Sequence, residues 1–310
     1  MADFFTLPVL FGIIYTGIRL ATPYLYAAIG ETFVQASGVY NLGVEGIMLM
    51  GAYTGFFAGM KTGSLWLGLL AAGITGVLMG LIMAVASVTL QAEQGISGIG
   101  LSLFGLGLSS LLFEKTLGNP QSINVFPAIR IPLLGNIPYL GDALFNQNIM
   151  VYLAFLLVPV ASFVLYKTTF GLKVRAAGQK PEAADTLGVN VNRIRYTTLA
   201  LGGMMAGIAG ASLTVALIGL FQENMTSGIG YIAVALVYFG GWRPTGVLGG
   251  ALLFSFVNSL QSWIQVKGIA IPPNIATMMP YILTIVALAF TVRRARQPAA
   301  LGKPFERGEN

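Results

Sequence analysis

Four glutamates lie in or beside apolar stretches, Glu31, Glu45, Glu93 and Glu114, and the chain has no histidine or cysteine. Acid–base chemistry would have to rest on these four, and no two are spaced as a catalytic pair. The missing residues also remove disulfides, thiol nucleophiles and the usual zinc and haem ligands, so no cofactor is expected. No Gly-x-x-x-x-Gly-Lys-Ser/Thr phosphate loop occurs, which argues against an ATPase. What these residues can do is sit in a membrane: a buried carboxylate is costly unless paired. Glu31 and Glu45, with Asn41 between them, are therefore candidates for a gate or a solute path. The competing reading is a satisfied network at the membrane boundary that fixes a turn, which the surrounding Gly38, Gly43 and Gly46 favour. Asn258 and Gln261 share one helix face three residues apart; interhelical hydrogen bonding is the simpler reading there, with a path contact at Asn258 the alternative.

The elements that must position these residues follow from composition. The 310 residues are 55% hydrophobic and 9% charged, with a mean hydropathy of +0.78, where soluble domains carry about 25% charged residues. A span needs about 20 apolar residues, and uncharged stretches give nine segments: Leu7–Gly30, Gly43–Met60, Ser64–Leu90, Gly95–Phe113, Asn148–Tyr166, Tyr196–Phe221, Gly228–Gly241, Gly246–Ile264 and Asn274–Val292. The expected fold is an all-α polytopic membrane bundle of about nine spans, eight to ten, over residues 1–292, followed by a disordered tail at 293–310. Gly228–Gly241 is too short to cross upright and reads as re-entrant or broken. Met1–Phe5 lacks the basic start of a signal peptide, so the first segment is expected to stay in the mature protein. The glycine series Gly202, Gly203, Gly207, Gly210 reads as a close-packing face with no partner named.

Lys167, Lys173, Arg175, Lys180, Arg193 and Arg195 crowd one connection, and Arg293, Arg294, Arg296, Lys303 and Arg307 the tail. The positive-inside rule puts both in the cytoplasm, with the N-terminus outside. The net charge of +6 is thereby topology and attraction to anionic lipid rather than a nucleic-acid surface. The outer connection Glu114–Gln147, with Ile131–Gly135 echoed at Ile137–Gly141, reads as a rigid loop or short interfacial helix that either receives something from outside or merely covers the bundle.

Within the basic connection, Pro181 suits the first turn of a helix, Glu182 and Asp185 complement its N-terminal end, and Gly188 can end it in a left-handed conformation. Ala183 and Ala184 give this two-turn helix a low-relief face. So short a helix needs external support; packing on the bundle and docking into a groove of another protein both supply it.

Glu182-Ala183-Ala184 followed by Gly188 resembles the EAA coupling loop of bacterial ABC importer permeases. Gly171–Gly178 and Asn224-Met225-Thr226-Ser227-Gly228 are similar to the branch that includes ribose, branched-chain amino acid and nucleoside permeases. Gly38–Gly46, with Arg19–Pro23 before it, is most similar to nucleoside permeases that work with a BMP-type lipoprotein. The resemblance runs from about Arg19 to Phe290. It implies a type II-like ABC importer permease in the bacterial inner membrane, not itself an enzyme, in which Pro181, Glu182, Ala183, Ala184, Asp185 and Gly188 couple to a cytoplasmic ATPase subunit. It further implies a second, longer permease subunit and an extracytoplasmic BMP-type binding lipoprotein, with nucleosides as the first solute class and riboflavin or simple sugars behind. Arg193-Ile194-Arg195-Tyr196 stands where some branches have a hydrophobic-Leu-Pro ending, and the short N-terminus puts Arg19 near the outer boundary. The rival from another class, an ion-coupled secondary transporter, calls for mid-depth carboxylates and two similar halves, and seven of the nine segments hold no charge.

Overall fold

The computed structural model describes residues 6–119, 121–132, 140–266 and 297–306, with 135, 137, 278–279, 282 and 285–286 between. The expected ninth span, Asn274–Val292, and the basic cluster at 293–296 lie almost wholly outside the described residues. The main helices are α1 (Leu7–Ala36), α2 (Val44–Thr62), α3 (Leu65–Ala84), α4 (Gln94–Thr116) and, after a short α5 (Leu140–Phe145), α6 (Ile149–Lys167). α7 (Thr169–Gln179) and α8 (Pro181–Thr186) follow, then α9 (Val191–Ser212), α10 (Ile229–Phe239) and α11 (Pro244–Val266). π-helical turns extend α3 through Val85–Thr89 and α9 through Leu213–Ile218.

Among the described residues, five segments are long and apolar enough to cross a bilayer: Leu65–Thr89, Gln94–Thr116, Ile149–Lys167, Val191–Ile218 and Pro244–Val266. α1 and α2 are 30 and 19 residues long but more polar. Burial explains the difference. Every residue of α1 from Ala21 to Ala36 and of α2 from Val44 to Tyr53 is enclosed by protein, so polar side chains there meet partners instead of lipid. The outward faces of α3, α4 and α6 instead carry Leu70, Ile74, Leu103, Phe104, Leu156 and Phe163. The fold is mostly but not purely helical, because β1 (Ala128–Arg130) pairs antiparallel with β2 (Asn146–Asn148), Ala128 opposite Asn148. The outer connection is thus a small hairpin ladder with α5 beside it.

α9 is the hub. A side chain added at Gly203 would overlap the carbonyl of Gly76 in α3, one at Gly207 the carbonyl of Ala72, and one at Gly210 the carbonyl of Met48 in α2. The glycine series therefore seats α9 against its own chain. α9 also begins at Val191, with the Asn190 side chain accepting from Arg193 N–H, so Arg193 and Arg195 belong to the helix and not to the preceding loop.

The connections segregate to two ends. At the loop end, the α1–α2 turn meets Gly178 of α7 and residues 300–302: Ala300 N–H donates to Gly178 C=O and Gly302 N–H to Gly38 C=O. At the hairpin end, Phe126 N–H donates to Val215 C=O, and Asn148 Nδ2 and Arg19 Nη2 both donate to Ala216 C=O, in the π-helical turn after α9. Arg19 therefore lies level with the hairpin-side ends of α6 and α9. Of the expected tail at 293–310, residues 297–306 are described and pack on the bundle. Ala300 and Phe305 are buried, and Phe305 packs with Ala177, Ala184 and Val191, apolar anchors that outweigh the polar composition around them.

Candidate functional site

Two groups of residues converge at the loop end. In the first, α8 starts with Pro181, has Glu182 in its first turn, and is closed by Gly188 at φ +84°, its N–H donating to Asp185 C=O. The two alanines divide: Ala184 is buried under the helix against Ala177, Val191 and Phe305, whereas Ala183 is exposed. The expected low-relief face made by both is thus a face of Glu182, Ala183 and Leu187. Leu187 is 84% exposed, a large apolar side chain at the tip that the sequence reading passed over. Arg195, expected in the open loop, is buried at the root of α9, where Nη1 donates to Lys303 C=O at 3.1 Å.

In the second group, Glu31 in the last turns of α1 accepts through Oε1 from Gln35 Nε2 (3.1 Å) and from the backbone N–H of Asn41 (3.3 Å), while Asn41 Oδ1 accepts from Gly43 N–H. These bonds hold the α1–α2 turn, and residues the sequence did not single out join them. Gln94 Oε1 accepts from Tyr40 N–H at 2.7 Å, and Trp242 Nε1 donates to Gln35 Oε1 at 2.9 Å. Tyr40 meets Tyr238 edge-on at 6.4 Å, and Tyr238 meets Trp242 at 4.9 Å. Burial, and then the nearby Glu31 carboxyl, push the Tyr40 hydroxyl above its ordinary range. The four-residue step from Glu31 to Gln35 was a readable helical pairing; Gln94 and Trp242 come from distant sequence and carried no such signal.

Glu45 is elsewhere and differently employed. Its carboxylate accepts from Thr226 Oγ1, Gly228 N–H (2.8 Å) and Gly230 N–H (2.6 Å). It caps α10, whose first amides would otherwise be orphaned, and its charge complements the positive end of that helix. α10 is 11 residues long, about 16 Å, and residues 240–243 separate it from α11, so by itself it is too short to cross a bilayer core upright. Asn258 Nδ2 donates to Tyr24 Oη at 3.1 Å, an interhelical bond between α11 and α1 remote from the other candidates. Among the described residues no group of His, Cys, Asp and Glu could hold a metal ion.

Residues 13–288 match the family model described as the branched-chain amino acid transport system / permease component. The chain is similar to the guanosine ABC transporter permease protein NupQ of Bacillus subtilis, 38% identical over 93% of this chain and 94% of that protein. It is also similar to the nucleoside ABC transporter permease protein NupC of Lactococcus lactis, 36% identical over 91% and 92%. A Haloferax volcanii protein bearing the name of a glucose ABC transporter permease, TsgC13, is 37% identical over 96% and 98%. With the match running through the loop-end helices and the bundle alike, the chain belongs to the branched-chain amino acid transport system permease component family.

Proposed function

We propose that this chain is a permease subunit of an ATP-driven importer that moves nucleosides inward across the cytoplasmic membrane. The observation that carries the reading is the end-to-end similarity to permeases named for guanosine and nucleosides. α8, with Pro181 and a left-handed Gly188, supplies a part through which a separate ATPase can act. In this scheme the loop end faces the cytoplasm, the hairpin end faces outward, and Glu182, Ala183, Asp185 and Leu187 meet the ATPase subunit. Movement of α8 passes through Ala184 to α7 and the root of α9. From there it reaches α1, α2 and α3, and the bundle alternates between outward and inward access. The Glu31–Asn41 network is the inner gate, Glu45 holds the short helix α10, and Asn258 with Tyr24 joins α11 to α1. A second permease, two ATPase copies and a BMP-type binding lipoprotein complete the machine.

Proteoliposomes holding the full complex test this. The expected result is nucleoside uptake that requires ATP inside the cytoplasmic-side compartment, survives an uncoupler and is not displaced by excess glucose or riboflavin. Glucose uptake in place of nucleoside uptake would favour a second reading, which rests on the similarity to TsgC13. Abolition by the uncoupler would point to ion coupling.

A further inference from the structure

Three polar atoms of the Glu31–Asn41 network have no hydrogen-bond partner among the described residues: Glu31 Oε2, Asn41 Nδ2 and Gln94 Nε2. Their residues are 1%, 0% and 3% exposed, so bulk water does not reach them. Buried polar groups are nearly always paired, and an orphan calls for an explanation. The three residues lie together, because Glu31 through its other carboxyl oxygen and Gln94 through its carbonyl oxygen hold the N–H groups of the consecutive residues Asn41 and Tyr40. Burial alone does not produce the condition in this chain. Glu45, 5% exposed, has both carboxylate oxygens satisfied by three donors.

The unpaired set is specific in kind: one carboxyl oxygen, which accepts when the group is ionised and donates when it is protonated, and two carboxamide nitrogens, which donate. Beside it stand the rings of Tyr40, Tyr238 and Trp242. Tyr40 and Tyr238 are half-buried while the polar groups are enclosed, so an arriving molecule meets aromatic faces first and the donors and acceptor behind them. Gln35 ties Trp242 to Glu31, which links the position of the rings to that of the carboxyl. A flat solute carrying both donors and acceptors along one edge fits this order of contacts. Stacking is tolerant of ring identity, whereas edge contacts discriminate.

We propose that this cluster is a base-recognition site on the translocation path, with Tyr40, Tyr238 and Trp242 stacking the nucleobase and Glu31, Asn41 and Gln94 reading its hydrogen-bonding edge. The proposal rests on the nucleoside reading above. Glu31 accepts from a ring N–H or exocyclic amine, and the two carboxamides donate to ring nitrogens or carbonyls. The closed arrangement leaves these groups unpaired until solute supplies the partners.

The test is uptake of guanosine, inosine, adenosine, cytidine and uridine by the reconstituted complex, with one unaltered lipoprotein throughout. Glu31→Gln replaces the acceptor, Gln94→Glu replaces a donor by an acceptor, and Tyr238→Phe and Tyr238→Leu keep and remove a ring. Rates are compared as ratios between solutes within one preparation, so loss of folded protein cancels. The expected result is a change of about tenfold or more in the ratio of guanosine to adenosine uptake for Glu31→Gln or Gln94→Glu. Tyr238→Phe should retain uptake of all five while Tyr238→Leu lowers it. Parallel changes across all five solutes in the edge variants would overturn the site and leave the nucleoside reading standing. Absence of nucleoside uptake by the unaltered complex would overturn both.

Discussion

Glu45 holds three donors from a stretch of chain about 180 residues away, and replacing it with alanine would leave the buried amides of Gly228 and Gly230 without an acceptor. The expected loss is about 2–4 kcal/mol of stability, read as a lower unfolding temperature in detergent, with Glu45→Gln intermediate. Glu93 makes a separate case. Its exposed carboxylate accepts from Gly95 and Ile96 N–H at the start of α4, and these bonds hold its pKa below the usual carboxylate range. A depressed pKa means the cap is worth most above the unfolded value of about 4.3 and is lost as pH falls through the folded value. The unfolding-temperature gap between the native protein and Glu93→Gln should therefore close on acidification below about pH 4; a gap independent of pH would remove the charge from the cap. At this scale the types were readable and the partners were not. Glu31, Asn41 and Glu45 drew notice as carboxyl and amide groups among glycines, but Thr226, Gln94 and Trp242 reach them only through the tertiary fold.

α8 was legible because its signals are local, a proline at one end and a glycine at the other. The direction each alanine faces was not, since that depends on Phe305, more than 100 residues further along. Leu187 stands clear of its own protein, so Leu187→Asp should cost little folding stability. In the assembled transporter it should reduce ATP-driven uptake by about tenfold while membrane levels are unchanged. Unchanged uptake would show that the tip touches no partner. The reading of Tyr196–Phe221 as a span overlaps the helical segment Val191–Ile218, but its start was not legible: Arg193 and Arg195 suggested a loop, and composition could not show that Arg195 would be covered by another segment. That Gly228–Gly241 is too short to cross upright was recognisable from length alone, because an 11-residue helix cannot span a bilayer core of about 30 Å whatever its sequence.

For the molecule as a whole, reading for uncharged stretches located the lipid-facing helices α3, α4 and α6 and the enclosed α1 and α2 alike, without showing that the polar residues of the last two face protein. It also gave no hint that residues 297–306 fasten three structures together: the α1–α2 turn through Gly38, the end of α7 through Gly178, and the root of α9 through Arg195. Phe305 adds contact with the underside of α8. A protein truncated after Gln297 should still assemble with its partners yet import less solute per ATP hydrolysed; undiminished import per ATP would exclude this segment from transmission. The same fastening sets a timetable for biosynthesis. Gly302 binds a carbonyl 264 positions earlier, and at about 5–20 residues per second the ribosome needs about 13–50 s to make the intervening chain. Through that interval the Gly38 turn lacks its final partner, and the Arg195 guanidinium lacks its own, Lys303, for the last 108 residues of it. The loop end is therefore the last part of the described fold to close, and a quality-control factor that senses an undocked Gly38 turn would tell a docked permease from a nascent one.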